Sequence, residues 1–179
     1  MRQAVHRITL CLLGALCLAS PSLAQDLDDI LQAKLRPGWR MENGIHMAAL
    51  QLDMAPGWKT YWRQPGDSGI PPRFDFSQTE GLQGIEVFYP TPQISWLGRS
   101  RNIGYENQVI FPLQISLNGT ADMTLTGRVE IGVCRELCIP VTLYLSTQFS
   151  SQKGSAVHGA LLLPFKFSYI LCQRGILAH

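Results

Sequence analysis

Short runs of alternating apolar and polar residues cover much of this 179-residue chain. The alternation is clearest at 123–133 and 141–149 and is partial at 46–53, while 84–89 and 109–117 are rich in β-branched and aromatic residues. A period of two residues is typical of strands with one buried face. Turn-forming residues separate the runs at Asn43-Gly44, Pro56-Gly57, Pro65-Gly66, Pro90-Thr91-Pro92 and Asn118-Gly119. The pattern predicts an all-β protein folded as a β-sandwich.

Two segments depart from the strand pattern. Asp26 to Lys34 is predicted to form a short helix, because its acidic residues fall in the first turn, where the helix dipole favours them. Residues 55–72 are dense in Pro, Gly and aromatic residues and are predicted to form a loop held by its own side chains. The large aromatic side chains of this loop either cover one end of the sandwich or form a recognition surface; they are Trp58, Tyr61 and Trp62.

The N-terminus has the three parts of a secretory signal peptide. Arg2 and Arg7 form a basic start, residues 8–18 are apolar, and Ser22-Leu23-Ala24 supplies the small residues that signal peptidase reads. We expect residues 1–24 to be removed, so that the mature cysteines lie in an oxidising compartment.

The mature chain keeps about 155 residues, enough for one domain with a core. We place that domain at 25–150 and assign 151–179, with the left-over Cys172, to a divergent tail that is either disordered or the end of a truncated gene.

The charge of the mature chain argues against two kinds of partner. The signal holds two of the fifteen Lys and Arg and none of the thirteen Asp and Glu, so the mature charge is near zero. Nucleic acids and anionic membrane surfaces are bound through a basic excess, so we expect neither. No membrane span is expected in the mature chain, since its most apolar segment, 160–171, is short and interrupted by Pro164 and Lys166.

Cys134 and Cys138 lie between two of the predicted strands and suggest redox chemistry. The chain between them must turn if they pair, because four extended residue steps span about 13 Å and a disulfide requires Cα atoms roughly 4.4–6.8 Å apart. A disulfide that closes so short a loop stabilises the fold by only about 2 kcal/mol. Arg135 could favour the Cys134 thiolate, although Glu136 would offset this effect.

Other interpretations of the pair remain open. It can be a purely structural disulfide, as in a non-redox adhesion or scaffold domain, or two free thiols in a reducing compartment. Two thiolates are also ligands for Cu(I), with a methionine or histidine as a third ligand. Candidates for that ligand are present but lack a ligand-like spacing from the pair; they are Met41, Met47, Met54, Met123, His46 and His158. Motifs for serine hydrolases, phosphate-binding loops and zinc peptidases are absent from the sequence.

Four groups of residues carry a family resemblance over about 35–145. They are Pro56-Gly57-Trp58-Lys59-Thr60-Tyr61-Trp62, Pro65-Gly66-Asp67-Ser68-Gly69, Ile103-Gly104-Tyr105 and the Gly132-Val133-Cys134 and Cys138-Ile139-Pro140-Val141 pair of segments. In combination they resemble the N-terminal periplasmic domain of the thiol:disulfide interchange protein DsbD, and most of all its DsbD-like and copper-tolerance relatives.

The resemblance implies an immunoglobulin-like β-sandwich in the periplasm that needs no cofactor. Cys134 and Cys138 would be its catalytic pair, a component of a protein-disulfide reductase. The pair would take reducing equivalents from a membrane-embedded donor and pass them to thioredoxin-like or disulfide-isomerase proteins by thiol–disulfide exchange. Trp96 and Leu97, within 94–99, correspond to a cap loop that shields the pair in the family. The spacing of the cysteines is shorter than in the best-known member.

Overall fold

The computed structural model describes residues 26–41, 45–118 and 122–149, and nearly all of them lie in strands. A single turn of helix, α1 (Leu27–Ile30), comes first. Ten strands follow in chain order: β1 (Leu31–Arg40), β2 (His46–Met54), β3 (Lys59–Gly66), β4 (Arg73–Asp75), β5 (Leu82–Val87), β6 (Gln93–Leu97), β7 (Ser100–Glu106), β8 (Gln108–Leu117), β9 (Met123–Cys134) and β10 (Cys138–Phe149). The predicted signal peptide and tail, with Cys172, lie outside the described residues.

The strands form two antiparallel sheets that pack face to face. The first sheet has the order β1-β2-β8-β5, and the second has the order β10-β9-β3-β7-β6, with β4 pairing beside β9. The apolar residues of the two inner faces form one core that includes Leu50, Phe111, Val129 and Val133. The predicted immunoglobulin-like β-sandwich is therefore confirmed.

The alternation in β9 shows why the sequence pattern was informative. Leu125, Val129 and Ile131 are buried, whereas Thr124, Thr126 and Arg128 between or beside them are exposed. A side chain on every second position of a strand faces the core, and the register of β9 against β10 is regular from Met123 to Cys134. Burial of one face and backbone hydrogen bonds to the neighbouring strands on both sides therefore stabilise β9.

The helix predicted over Asp26 to Lys34 is wrong beyond its first turn. Only Leu27–Ile30 is helical, and Leu31 begins β1, which pairs with β2 from Leu31↔Met54 onwards. Leu31 and Leu35 are both buried in the core. The sheet supplies strand hydrogen bonds and apolar contacts that outweigh the helical preference of so short a segment.

The loop predicted over 55–72 is wrong in its middle, where Lys59–Gly66 forms β3. Ala55 to Trp58 forms a turn, in which the Trp58 N–H donates to the Ala55 carbonyl, and β3 follows. Trp58 and Trp62 pack with the core, while Tyr61 occupies the opposite face of β3. Strand β3 departs from regular register with β7 between Tyr61 and Gly66, which explains why its sequence reads as a loop.

Within the described residues, no helix has the length and apolar character needed to cross a bilayer.

Candidate functional site

The two cysteines of the short-spaced pair form a disulfide across one hairpin. Cys134 ends β9, Cys138 begins β10, and the sulfur atoms are bonded with the Cα atoms 4.1 Å apart. The intervening residues 135–137 make the turn that the spacing requires, and the Arg135 N–H donates to the Leu137 carbonyl. The disulfide therefore closes one end of the second sheet.

The two cysteines differ sharply in their exposure. Cys134 is 2% exposed, because β3 lies on one side of it, where Lys59 is its register partner, and Cys138 lies on the other. Cys138 is exposed and begins β10, which is the outermost strand of its sheet. Taken as whole residues, Cys138 is therefore the cysteine that is more open to another protein.

Tyr61 contacts the exposed cysteine directly. Its hydroxyl lies 3.5 Å from the Cys138 Sγ, within hydrogen-bonding distance for sulfur. The tyrosine is only 3% exposed, and burial raises the pKa of its phenol. The hydroxyl therefore stays protonated at neutral pH and is able to donate a hydrogen bond to a thiolate at Cys138.

The segment after β3 holds Tyr61 in place. Gly69 has a φ of +133° and lies so close to the Tyr61 ring that an added Cβ would be 2.4 Å from its Cε1. The segment is tied to β7, since the Asp67 carboxylate accepts a hydrogen bond from the Arg101 N–H and the Ser68 hydroxyl donates to Asn102 Oδ1. Asp67 thus acts in the turn and not as a reacting group.

The loop between the cysteines contacts the turn between β2 and β3. The Arg135 guanidinium carbon lies 5.3 Å from the centre of the Trp58 ring. Gly57 lies beside the stem of Arg135: it has a φ of +80°, in the left-handed region, and an added Cβ would be in ordinary contact, 3.6 Å from the Arg135 Cδ. The Trp58 Nε1 is buried without a hydrogen-bond partner.

A shallow pocket borders the site on the Tyr61 side. It is lined by residues of β3, β6 and β7, namely Lys59, Tyr61, Gln93, Ser95, Asn102, Gly104, Tyr105 and Glu106. Lys59 pairs in register with both Cys134 and Glu106, and Tyr61 pairs with Gly104. Directly paired residues share a face of the sheet, so the pocket and the cysteines belong to the same outer face.

Trp96, one of the two predicted cap residues, lies away from the disulfide. Trp96 lies on β6, is 66% exposed and pairs with Arg101. It follows Ser95, which lines the pocket, so the Trp96 side chain points to the opposite face of the sheet. Strands β7 and β3 separate β6 from the disulfide hairpin. The structure thus does not bring Trp96 to the cysteines, and the side chain of Leu97 lies outside what it describes; the cap role stays a prediction.

Of the residues considered for a third copper ligand, His158 lies outside the described residues, and the others are dispersed. Met54 belongs to the main core, and Met47 is fully buried in a smaller cluster. His46 stacks on Phe149 at 3.9 Å between ring centres, and its Nε2 hydrogen-bonds the Pro37 carbonyl. Among the described residues, no three His, Cys, Asp or Glu side chains are grouped as a metal site.

The positions of Lys59 and Tyr61 beside the disulfide were not foreseen from the sequence. Both were named within a segment that carries the family resemblance; beyond that, Tyr61 was considered only as a packing or recognition residue. A useful signal was available: if β3 is read as a strand, Lys59 and Tyr61 fall on one face, and Trp58 and Thr60 fall on the other.

The chain was compared with known families and structures. A family model described as "Thiol:disulfide interchange protein DsbD, N-terminal" matches residues 30–149. No curated protein matches the chain.

Two solved structures are similar to it. The crystal structure of the N-terminal periplasmic domain of ScsB from Proteus mirabilis has a TM-score of 0.56 at 22% identity, covering 79% of this chain and 51% of that chain. This chain therefore spans about half the length of that structure, and the likeness concerns the fold. The Neisseria meningitidis DsbD N-terminal domain in the reduced form has a TM-score of 0.40 at 13% identity, covering 71% of this chain and 88% of that chain.

Proposed function

The chain belongs to the family of N-terminal domains of the thiol:disulfide interchange protein DsbD, and on that premise we propose that Cys134 and Cys138 relay reducing equivalents between proteins. The observation that carries the proposal is the asymmetry of the bridge, with Cys134 2% exposed and Cys138 exposed. Such a disulfide offers one sulfur to a partner and keeps the other for the intramolecular step.

In the reduced domain, Cys138 is the attacking cysteine. Its thiolate attacks one sulfur of a partner's disulfide, and the second partner sulfur leaves with the electron pair and takes up a proton. The Cys134 thiolate then attacks the Cys138 Sγ, which re-forms the bridge and releases the partner's remaining thiolate. The partner gains two electrons and two protons, and the domain loses them.

Tyr61 supports the first of these steps. A hydrogen bond from its hydroxyl, 3.5 Å from the Cys138 Sγ, stabilises the thiolate relative to the thiol. Because burial keeps the phenol protonated, the donor is present across the neutral pH range. In the reduced domain, Tyr61 therefore favours the thiolate form of Cys138.

The donor, the acceptors, the compartment and the cap are proposed from the family to which the chain belongs. By likeness to the family, the donor is a membrane-embedded protein. The acceptors are periplasmic thioredoxin-like or disulfide-isomerase proteins, and the signal peptide at 1–24 directs the chain to the periplasm. Trp96 and Leu97 retain their proposed role as a cap, which requires the β6–β7 hairpin to approach the cysteines.

The deciding experiment is the reduction potential of the pair. The purified protein is equilibrated in glutathione or dithiothreitol buffers, and its thiols are alkylated and counted by mass spectrometry. We expect a value between about −120 and −270 mV, the range of working oxidoreductases. A value below about −300 mV would identify a structural disulfide and reject the relay.

Copper binding is the alternative that the same cysteines allow, and no contact in the described residues favours it. It is tested by titrating Cu(I) into the reduced protein against a competing chelator. Binding that survives in both Cys134→Ser and Cys138→Ser would remove the pair as a copper site.

A further inference from the structure

Residues 135–137, between the two cysteines, form the redox loop, and its first residue, Arg135, contacts the sandwich at Trp58. Its guanidinium carbon lies 5.3 Å from the centre of the Trp58 ring, inside the range of a cation–π contact. The next residues of the loop, Glu136 and Leu137, are exposed, and Leu137 is 81% exposed. The loop is thus fastened through its first residue while its tip projects into solvent.

Trp58 is a rigid support for this contact. Its side chain is 6% exposed and packs with the main core. Gly57, the residue before it, lies beside the stem of Arg135, where an added Cβ would be 3.6 Å from the Arg135 Cδ. Since Trp58 immediately precedes β3, and Lys59 of β3 pairs with Cys134, the contact and the strand pairing both hold the same end of the loop.

We propose that Arg135 is a positioning residue for Cys134: through Trp58 it keeps Cys134 beside Cys138 while the disulfide is open. The inference rests on the proposed relay. Arg135 follows Cys134 in the chain. A contact that fixes the Arg135 side chain therefore also restricts the backbone of Cys134. When the covalent bridge is absent, the Arg135–Trp58 contact replaces part of its constraint on the loop.

The step that benefits is the closure of the mixed disulfide. The Cys134 thiol loses its proton to solvent, and its thiolate attacks the Cys138 Sγ. The Cys134–Cys138 bond forms, the bond between Cys138 and the outside sulfur breaks, and the outside thiolate leaves with the electron pair. Closure is fast only when the attacking sulfur is already within reach and aligned.

The experiment measures this closure with glutathione as the probe. The reduced protein is mixed with oxidised glutathione, and samples are quenched in acid over time. Mass spectrometry then follows the mixed disulfide at Cys138 and its conversion to the closed bridge. We expect Arg135→Ala to close roughly threefold to tenfold more slowly than the parent, the effect of losing one cation–π contact. Formation of the mixed disulfide, which depends on Cys138, should keep its parent rate.

Two variants separate positioning from damage to the loop. Arg135→Lys keeps a cation over Trp58 and should restore most of the closure rate. Arg73→Ala removes an exposed arginine of β4, outside the loop between the cysteines, and should close at the parent rate. Thermal unfolding of each oxidised variant reports whether the fold is intact.

Closure of Arg135→Ala at the parent rate would overturn the inference. A slow Arg135→Ala that Arg135→Lys does not improve would also overturn it, because the defect would then come from the altered loop and not from the lost cation. Neither result affects the relay. The relay itself fails if the parent forms no mixed disulfide at Cys138, a result that is seen before any variant is compared.

Discussion

The Tyr61 hydroxyl lies 3.5 Å from the Cys138 Sγ, although 77 positions separate the two residues along the chain. Tyr61 belongs to β3 and Cys138 to β10, and β9 lies between these strands in the sheet. The contact joins the exposed half of the disulfide to a buried, protonated phenol. It therefore links the packing of the sheet to the reactivity of one sulfur.

Replacing Tyr61 by Phe should raise the pKa of the Cys138 thiol. The ring and its packing are kept, but the donor that stabilises the thiolate is lost, and a hydrogen bond to a charged group is worth enough to shift a pKa by about one unit. Below the new pKa the thiolate fraction falls and alkylation slows. The test is the rate of iodoacetamide reaction against pH in a Cys134→Ser background, and identical profiles with and without the hydroxyl would contradict the assigned role.

Gly69→Ala should disturb the site from a distance. An added Cβ would lie 2.4 Å from the Tyr61 ring, so the ring or the segment must move, at a cost of about 1–3 kcal/mol in the free energy of unfolding. Gly81→Ala is the control for a positive φ without a clash: Gly81 has a φ of +75° against +133° at Gly69, and no atom lies within 4 Å of an added Cβ. Urea unfolding and Cys138 alkylation of both variants separate backbone strain from the clash with Tyr61. If Cys138 is alkylated at the same rate in both variants, the contact of Gly69 with the Tyr61 ring does not control the site.

Cys138→Ala should abolish thiol exchange and leave the fold intact. The loop that the bridge closes is short, so its loss should lower the free energy of unfolding by about 2 kcal/mol at most. Cys134→Ala is the companion variant: it should form a stable mixed disulfide at the exposed Cys138 and fail to resolve it. Circular dichroism and mass spectrometry after exposure to oxidised glutathione report the two properties. An unfolded Cys138→Ala protein would favour a structural bridge.

Acidification should weaken the fold through His46. Burial lowers the pKa of His46 from its ordinary value of 6.5, with Arg40 adding to the effect and the Pro37 carbonyl opposing it. The unfolded chain then binds the proton more tightly, so the stabilisation present above pH 6.5 is lost as the pH falls towards the folded pKa, by at most about 1.4 kcal/mol per pH unit. Urea unfolding between pH 7.5 and 5 measures this change in the free energy of unfolding.

The matched variant is His46→Phe, which keeps a ring to stack on Phe149 but carries no titratable group. Its free energy of unfolding should depend less on pH over the same interval. A parent and variant with parallel pH dependence would assign the effect to other groups.

The strand pattern was largely predictable because its cause is local. The predicted runs at 46–53, 109–117 and 123–133 match β2, β8 and β9 within one residue at each end. Strands β5 and β10 were also foreseen, with ends that differ by up to three residues. Strand β1 was not foreseen, since its first residues were predicted as helix. Strands β3, β4, β6 and β7 were not foreseen either, since in these segments the burial is interrupted by the β3 irregularity and by an exposed hairpin.

The sequence by itself determined that the chain is built of strands and that Cys134 and Cys138 can meet. Both follow from residues a few positions apart, through the two-residue period of a half-buried strand and the short reach of four residues. Only the tertiary structure decided that Leu31 begins a strand, because pairing with β2 and burial of Leu31 and Leu35 outweigh a weak helical preference. The tertiary structure alone also decided which cysteine is exposed and that Tyr61 and Trp58 flank the loop between the cysteines. Both depend on the order of strands in a sheet, and residues far apart in sequence determine that order together.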